Sequence, residues 1–245
     1  MAEFTLTVAG YTAAVSSLFE STPQYFRAYL TENIPDFSIN ITPEDLLSEQ
    51  ARLKEEAIRE GMRTRIFPDP FLERSVIQQQ FAKNLLSRSV LLLHGSTVAA
   101  DGKAYLFTAK CGTGKSTHTR LWRELLGDRA VMVNDDKPFL RIESTQVLAC
   151  GSPWSGKHGL DSNISVPLSG ICILERGSEN QIAPISPEEA LPFLLTQCDP
   201  PEDSAQLPLY HHLMQTLSQQ VPLWHMYCTK DIRAAQAALH AMHQI

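Results

Sequence analysis

Apolar and polar positions alternate along residues 4 to 17 around Gly10, and again over Phe37-Ser-Ile-Asn-Ile-Thr, so the first 40 residues read as short half-buried strands. Thr42-Pro43-Glu44-Asp45 then has the form of a helix start: a threonine cap, proline in the first turn and acids at the positive end of the dipole. A charged helix is expected from there to about Glu60 and Gly61. After the break at Pro68-Asp-Pro70 a second helix is predicted over 71 to 86, with Leu72, Val76, Ile77, Phe81 and Leu85 on one face.

The pattern changes at residue 90. Val90 to Ala100 and Ala104 to Ala109 are apolar runs flanking Asp101-Gly102-Lys103, and a turn of that type predicts an antiparallel pair and hence a mixed sheet. A helix pattern from Lys115 to Leu126 closes at Gly127, and Ala130-Val-Met-Val-Asn returns as a buried strand. Later strands are predicted at 138–142, 147–150, 170–174 and 223–227, and helices near 187–197, 205–219 and 231–243. The order strand, glycine loop, helix, strand makes the fold class α/β: a mixed sheet with flanking helices over 89–245, preceded by a β-rich α+β region over 1–88. No internal repeat or low-complexity linker interrupts it.

Composition narrows the partners. A net charge of -6 without any Lys/Arg block argues against a nucleic-acid surface. The N-terminus lacks the basic and long apolar segments of a secretion signal, and the run Ser89-Val-Leu-Leu-Leu is far shorter than the roughly 20 residues of a membrane span. Cys111, Cys150, Cys172, Cys198 and Cys228 are an odd set without Cys-x-x-Cys spacing, which points to free thiols in a reducing cytoplasm. The paired histidines His211 and His212 lack an acid at ligand spacing and are read as structural.

Candidate chemistry gathers at Ala109-Lys110-Cys111-Gly112-Thr113-Gly114-Lys115-Ser116, which matches the phosphate-binding signature Gly-x-x-x-x-Gly-Lys-Ser/Thr except that Ala109 replaces the first glycine. Gly112 and Gly114 free the backbone to aim N–H groups from Cys111 through Thr117 at phosphate oxygens, and the helix opening at Lys115 adds its dipole. Lys115 is expected on the β- and γ-phosphates, Ser116 on Mg²⁺ and Thr117 on the α-phosphate or as a helix cap. About 20 residues on, Asn134-Asp135-Asp136-Lys137 ends a buried strand, where an α/β sheet collects its ligands. One of these adjacent acids can hold Mg²⁺ while the other accepts a proton from an attacking hydroxyl. Cys111 is read as a small tolerated loop residue, and Trp122 and Leu125 as core.

These residues resemble the HPr kinase/phosphorylase catalytic domain and, more distantly, PEP carboxykinase. The likeness runs from about Val90 to Ile173 and is carried by Leu93-His94-Gly95, the glycine loop, the Asp135-Asp136 pair and Gly151-Ser-Pro, in that order. The resemblance implies a kinase-like mixed sheet, ATP and Mg²⁺ as cofactors, Asp135 as the base that activates a serine, Asp136 as a metal ligand and His94 beside the active site. The chain departs from that family's Glu-x-Arg-Gly element, reading Trp154-Ser155-Gly156-Lys157-His158-Gly159-Leu160-Asp161-Ser162-Asn163 instead, so neither the HPr substrate nor reversibility carries over. A broader HPr-kinase-like set shares Thr-Gly-Lys-Ser-Thr-His, Asn-Asp-Asp-Lys-Pro and Pro-Trp-Ser-Gly-Lys, and members of related sets modify serine in proteins or peptide natural products. In the divergent loop, Lys157 and His158 are candidates for gripping a phosphate or an acceptor.

The expectation is therefore an ATP-dependent kinase acting on a serine-type hydroxyl of a protein, peptide or small molecule. The alternative is a nucleotide-dependent switch, a slow ATPase in a modification pathway. A carboxykinase ranks last, because the chain is short for that family's substrate domain. No guanine-reading Asn-Lys-x-Asp is present, which favours adenine or loose base selection. The first 88 residues carry no catalytic spacing and leave three roles open: a cover for the sheet, a contact between copies in a homo-oligomer, or an acceptor-binding surface.

Overall fold

The computed structural model describes residues 1–243 apart from 60 and 62, and divides into two compact units, Met1–Leu85 and Leu86–Ile245. In the first unit β1 (Ala2–Val8) and β2 (Tyr11–Ser17) form an antiparallel hairpin, followed by a short helix α1 (Thr22–Tyr25) and by β3 (Phe37–Asn40), which pairs parallel to β2. Two long helices come next, α2 (Pro43–Arg59) and α3 (Asp69–Leu86). Leu72, Val76, Ile77, Phe81 and Leu85 are all buried, as their spacing predicts. Helix α3 starts two residues earlier than expected because Pro70 lies in its first turn, where a missing N–H costs nothing. The expected end of α2 at Glu60 falls outside the described residues, while Gly61 adopts φ +68° beyond it. Buried Glu73 of α3 accepts hydrogen bonds from Leu18 N and Thr22 Oγ1, and buried Glu49 of α2 from Arg52 and Ser75. These bonds tie the hairpin and both helices together and leave neither buried glutamate unpaired.

The second unit begins with β4 (Val90–Leu92), β5 (Ser96–Ala100) and β6 (Lys103–Thr108). The β5–β6 turn is the expected Asp-Gly type, with Asp101 at φ 51° and Gly102 at φ 78°. The apolar run 90–100 is not one strand, however. It breaks at Leu93–Gly95, and β4 pairs with a later strand while β5 pairs with β6. At Gly95 a Cβ would lie 2.9 Å from Leu106 Cδ2 and 3.2 Å from the Phe107 carbonyl oxygen, so only glycine lets the chain cross there.

After β6 come the glycine loop, α4 (Lys115–Leu126), β7 (Ala130–Asn134), β8 (Phe139–Ile142), β9 (Val147–Cys150), β10 (Ser165–Arg176), β11 (Gln181–Pro184), α5 (Pro187–Leu195), α6 (Leu207–Gln220), β12 (Leu223–Cys228) and α7 (Ile232–His243). The nine-stranded sheet runs β4-β8-β9-β10-β6-β5-β7, with β12 parallel to β10 and β11 antiparallel to β12. Strand β10 spans far more than its apolar centre: its first residues pair antiparallel with β9, and its last half lies parallel between β6 and β12. Strand β11, four mostly exposed residues (Gln181-Ile-Ala-Pro184), is too short to show a periodic pattern and was not anticipated.

Both faces of the sheet are covered. Along β6, Ala104 and Leu106 join one apolar cluster with residues of α5 and α6, while Tyr105 and Phe107 join the other with α4 and α7. Because β5 is antiparallel to both β6 and β7, and β10 and β12 are parallel to β6, the carboxyl ends of β7, β6, β10 and β12 share one end of the sheet. Among the described residues, no helix is long and apolar enough to cross a membrane.

Candidate nucleotide and phosphoryl-transfer site

The glycine loop, which follows β6, and the acid pair, which follows β7, lie at that shared end. Strand β6 ends at Thr108, whose hydroxyl donates to the His94 carbonyl at 2.8 Å, and the chain enters the loop at Ala109. Ala109 is fully buried among Phe107, Leu121 and Trp122, so the methyl that replaces the signature glycine is core, not an obstruction in the loop. Gly112 (φ 73°) and Gly114 (φ 129°) hold backbone conformations that side chains rarely adopt. Helix α4 then starts at Lys115, leaving its first N–H groups without intrahelical acceptors. Lys115 is only 8% exposed and folds back so that Nζ donates to the Ala109 carbonyl at 3.2 Å. Ser116 is exposed at the first turn, Thr113 and Thr117 are half-buried, and the Cys111 thiol is free and exposed.

Asp135, just past β7, is 4% exposed, and its Oδ1 accepts from Ser96 Oγ at 2.8 Å. Ser96 in turn shares a 2.8 Å hydrogen bond with Thr119 Oγ1, one turn beyond Lys115 on α4. This chain of three residues fixes the acid against the first turns of the helix that follows the glycine loop. Beyond the carboxylate, a Cβ placed on Gly156 would sit 3.6 Å from Asp135 Oδ2, so a glycine here keeps that side of the acid free of a side chain.

Asp136 is half-exposed and pairs with His94, Oδ1 to Nε2 at 3.3 Å. Burial disfavours its charge, but the hydrogen bond and charge of His94, with Lys137 and Lys115 nearby, hold the carboxyl below its ordinary range. Asp136 is therefore ionised at neutral pH, within electrostatic reach of Lys115. The break after β4 makes the His94 contact: the Gly95 N–H donates to the Asp136 carbonyl at 2.8 Å, which draws His94 to the acid pair.

The turn that presents both acids is organised by Asn134, which is completely buried. Its Oδ1 accepts from the N–H groups of Asp136 (2.8 Å) and Lys137 (2.7 Å), while Nδ2 donates to the Ser152 carbonyl and hydroxyl at 2.9 and 3.0 Å. Ser152 Oγ completes the circuit by donating to the Lys137 carbonyl at 2.9 Å. Trp154 is buried against Phe139, and Lys157 and His158 are exposed on the turn after Gly156.

The structure thus brings Lys115, Ser116, Asp135, Asp136 and His94 to one end of the sheet, with Gly156 of the 155–161 loop beside the acids. Ser96, Thr119 and Asn134 were given no role from the sequence. Ser96 and Asp135 are 39 positions apart, and no local pattern links them. Thr119, four residues after Lys115, was within reach of a helical-face argument. Ser116, Asp135 and Asp136 offer hard oxygen donors of the kind Mg²⁺ takes, and the space a Cβ of Gly156 would fill is kept open beside Asp135, so these residues fit such an ion. Among the described residues there is no cluster of three or more His, Cys, Asp or Glu side chains that could hold a metal without such help.

On the other side of β6, helix α4 turns a different face to solvent. Thr113, Thr117, His118 and Arg176 line a cavity of about 240 Å³ together with the residues that end β12. Arg176 Nη2 donates to the Gly112 carbonyl at 2.6 Å, bracing the loop from the end of β10. His118 is 2% exposed, and burial lowers its pKa to about 4, so it is neutral.

Comparison with known proteins adds the following. A family model described as "SynChlorMet cassette protein ScmC" matches residues 74–199, just over half of the chain. No curated protein matches. Among solved structures, the HPr(Ser) kinase/phosphatase from Coxiella burnetii is similar over 62% of this chain and 95% of that chain, at 10% identity and a TM-score of 0.38.

Proposed function

The chain belongs to the ScmC family, and from that premise we propose that its 86–245 unit is an ATP-dependent kinase that transfers the γ-phosphoryl group to a serine-type hydroxyl of a protein, peptide or small molecule. The observation that carries this reading is the buried Asp135 carboxylate, held by Ser96 and Thr119 against the helix that opens at Lys115. A base anchored to the helix whose N-terminus would bind the phosphates keeps acceptor and donor in register, and positioning is the main catalytic resource in phosphoryl transfer.

On this reading the amides of Gly112 to Thr117 hold the phosphate oxygens, and Lys115 leaves the Ala109 carbonyl to contact the β- and γ-phosphates. Asp135 takes the proton of the acceptor hydroxyl as its oxygen bonds to the γ-phosphorus, and the bond to the bridging β,γ-oxygen breaks to release ADP. Ser116 and Asp136 would hold Mg²⁺, which when bound supplies positive charge to the phosphate oxygens. His94 keeps Asp136 ionised and oriented for that task. On this reading Lys157 and His158, exposed beyond Gly156, meet the acceptor from solvent.

The test is incubation with γ-labelled ATP, Mg²⁺ and peptide or extract acceptors. Lys115→Ala is expected to abolish nucleotide binding and labelling. Asp135→Asn keeps an acceptor for Ser96, and should lower transfer by about 100-fold or more while binding persists. Nucleotide binding with no transfer by the wild type would replace the kinase reading with a nucleotide-dependent switch.

A further inference from the structure

Buried Ala109 anchors one end of the glycine loop and helix α4 the other. Between them the chain passes through Gly112 and Gly114, and glycines lose the most conformational freedom when they are ordered. Inside the loop the Thr113 N–H closes a turn on the Lys110 carbonyl at 3.2 Å. Among the described residues, the hydrogen bonds that reach residues 110–114 from outside the loop and α4 come from Arg176.

Arg176 is the last residue of β10, an interior strand between β6 and β12, and stands in register with Cys228 of β12. The next residue, Gly177, donates its N–H to the Cys228 carbonyl at 3.1 Å, so the backbone that carries the guanidinium is fixed. From there Nη2 donates to the Gly112 carbonyl at 2.6 Å and Nε to the Thr113 carbonyl at 3.5 Å. One edge of a planar, rigid group thus meets two consecutive carbonyls. In a planar trans peptide the C=O and the following N–H point opposite ways. Holding these two carbonyls therefore sets the Thr113 and Gly114 N–H groups: the first lies on Lys110, and the second points away from Arg176. Gly114 supplies the last amide before α4, whose own first N–H groups have no intrahelical acceptors.

We propose that Arg176 is a positioning residue for the glycine loop. Its guanidinium turns the Gly112 and Thr113 carbonyls, which would repel an anion, away from the phosphates and sets the direction of the Gly114 amide, without touching the nucleotide itself. The inference rests on nucleotide binding at the 109–116 loop. Ordering the two glycines during folding removes a cost that binding would otherwise meet, so the brace acts on affinity for the phosphate chain. The fork matters more than the charge, because a lysine ammonium is a single point and cannot fix two carbonyls relative to each other.

The experiment is calorimetric binding of inorganic tripolyphosphate and of MgATP to the full chain and to Arg176→Gln and Arg176→Lys. It is joined by urea unfolding and by amide hydrogen exchange of the 110–115 segment without ligand. Arg176→Gln should weaken both ligands by about tenfold or more, and Arg176→Lys nearly as much. Exchange at the Thr113 amide should quicken in both variants, while the urea midpoint stays at the wild-type value because Arg176 is exposed. Wild-type affinity in Arg176→Gln would overturn the role, and full recovery in Arg176→Lys would reduce it to charge. Lost affinity with unchanged exchange would make Arg176 a direct phosphate contact instead, and a lowered urea midpoint would make it part of the general framework. In each of these cases the wild type still binds and the nucleotide reading stands. If the wild type binds neither ligand, that reading falls and takes this role with it.

Discussion

The two sides of the glycine loop are built on opposite terms. On the acid side, Asn134, Ser152, Ser96 and Thr119 spend their polar groups on one another and on the backbone of the acid turn, so the geometry is fixed before any ligand arrives. On the cavity side, His118 keeps a buried N–H unpaired and Lys230 extends into solvent. The difference is one of where the free energy of ordering is met. A saturated network is set during folding and holds a carboxylate in one place, while a buried donor without a partner costs free energy in the folded chain. Perturbing the first side should therefore cost more stability than perturbing the second.

The largest effect is expected at Gly151, where the acid side is tightest. A Cβ there would lie 1.8 Å from the Ser162 carbonyl oxygen and 2.9 Å from that of Val133, both backbone atoms that cannot swing away. Gly151 also donates its N–H to Ile164, and Ser162 donates to Val133, so the added methyl would force apart the segments that seat Asn134. Gly151→Ala should lower stability by more than about 3 kcal/mol, measured as a fall in the urea midpoint. Lys230→Ala on the cavity side should stay within about 0.5 kcal/mol of wild type. Equal tolerance of the two changes would erase the contrast.

A smaller loss is expected at Asn134. Asn134→Ala strips an acceptor from the Asp136 and Lys137 N–H groups and a donor from Ser152, all near the buried floor of the turn. The cost should be roughly 2–3 kcal/mol in thermal or urea unfolding. In the folded fraction, phosphoryl transfer should fall, because the turn that presents Asp135 and Asp136 is loosened. Unchanged transfer would mean that the acid turn holds its geometry without Asn134.

How much of this was legible before the structure follows from the range of each interaction. The loop residues 109–116, the acid pair and the Asp101–Gly102 turn are short strings of consecutive residues, and they lie between β6 and α4, just past β7, and between β5 and β6, the positions their flanking patterns predict. The strand run 90–100 misled because its break depends on Gly95 meeting Leu106 and Phe107, a contact that exists only once β6 has folded back. Asn134 was visible in its motif, but its task depends on Ser152, 18 residues away. The length of β10 was hidden because its first half pairs with β9 through polar and proline residues, leaving only the apolar half to be seen. His118 lay in plain view beside Thr117, yet its unpaired nitrogen follows from packing on Phe107 and Trp122, which no spacing encodes.

Acid provides the gentlest way to separate the two sides. His118 is held neutral, with its pKa lowered by burial from 6.5 to about 4 in the folded chain. Between those values the unfolded chain binds the proton and the folded chain does not, so stability falls as the pH drops through this window and levels off below about 4. From pH 7 to pH 5 the loss should be about 2 kcal/mol. Asp136 works in the other direction: its carboxyl is held below the ordinary range, so its contribution is complete above the unfolded value of about 3.8 and is lost only as the pH falls through the lower folded value. Exposure and screening keep that contribution small. Mild acid should thus weaken the protein through the cavity side alone. His118→Phe, followed by urea unfolding at pH 7 and pH 5, should flatten the pH dependence in this window, while Asp136→Asn should leave it unchanged. If Asp136→Asn flattened it instead, the acid turn would be the proton-sensitive part, and His118 would have to be solvated in the folded chain.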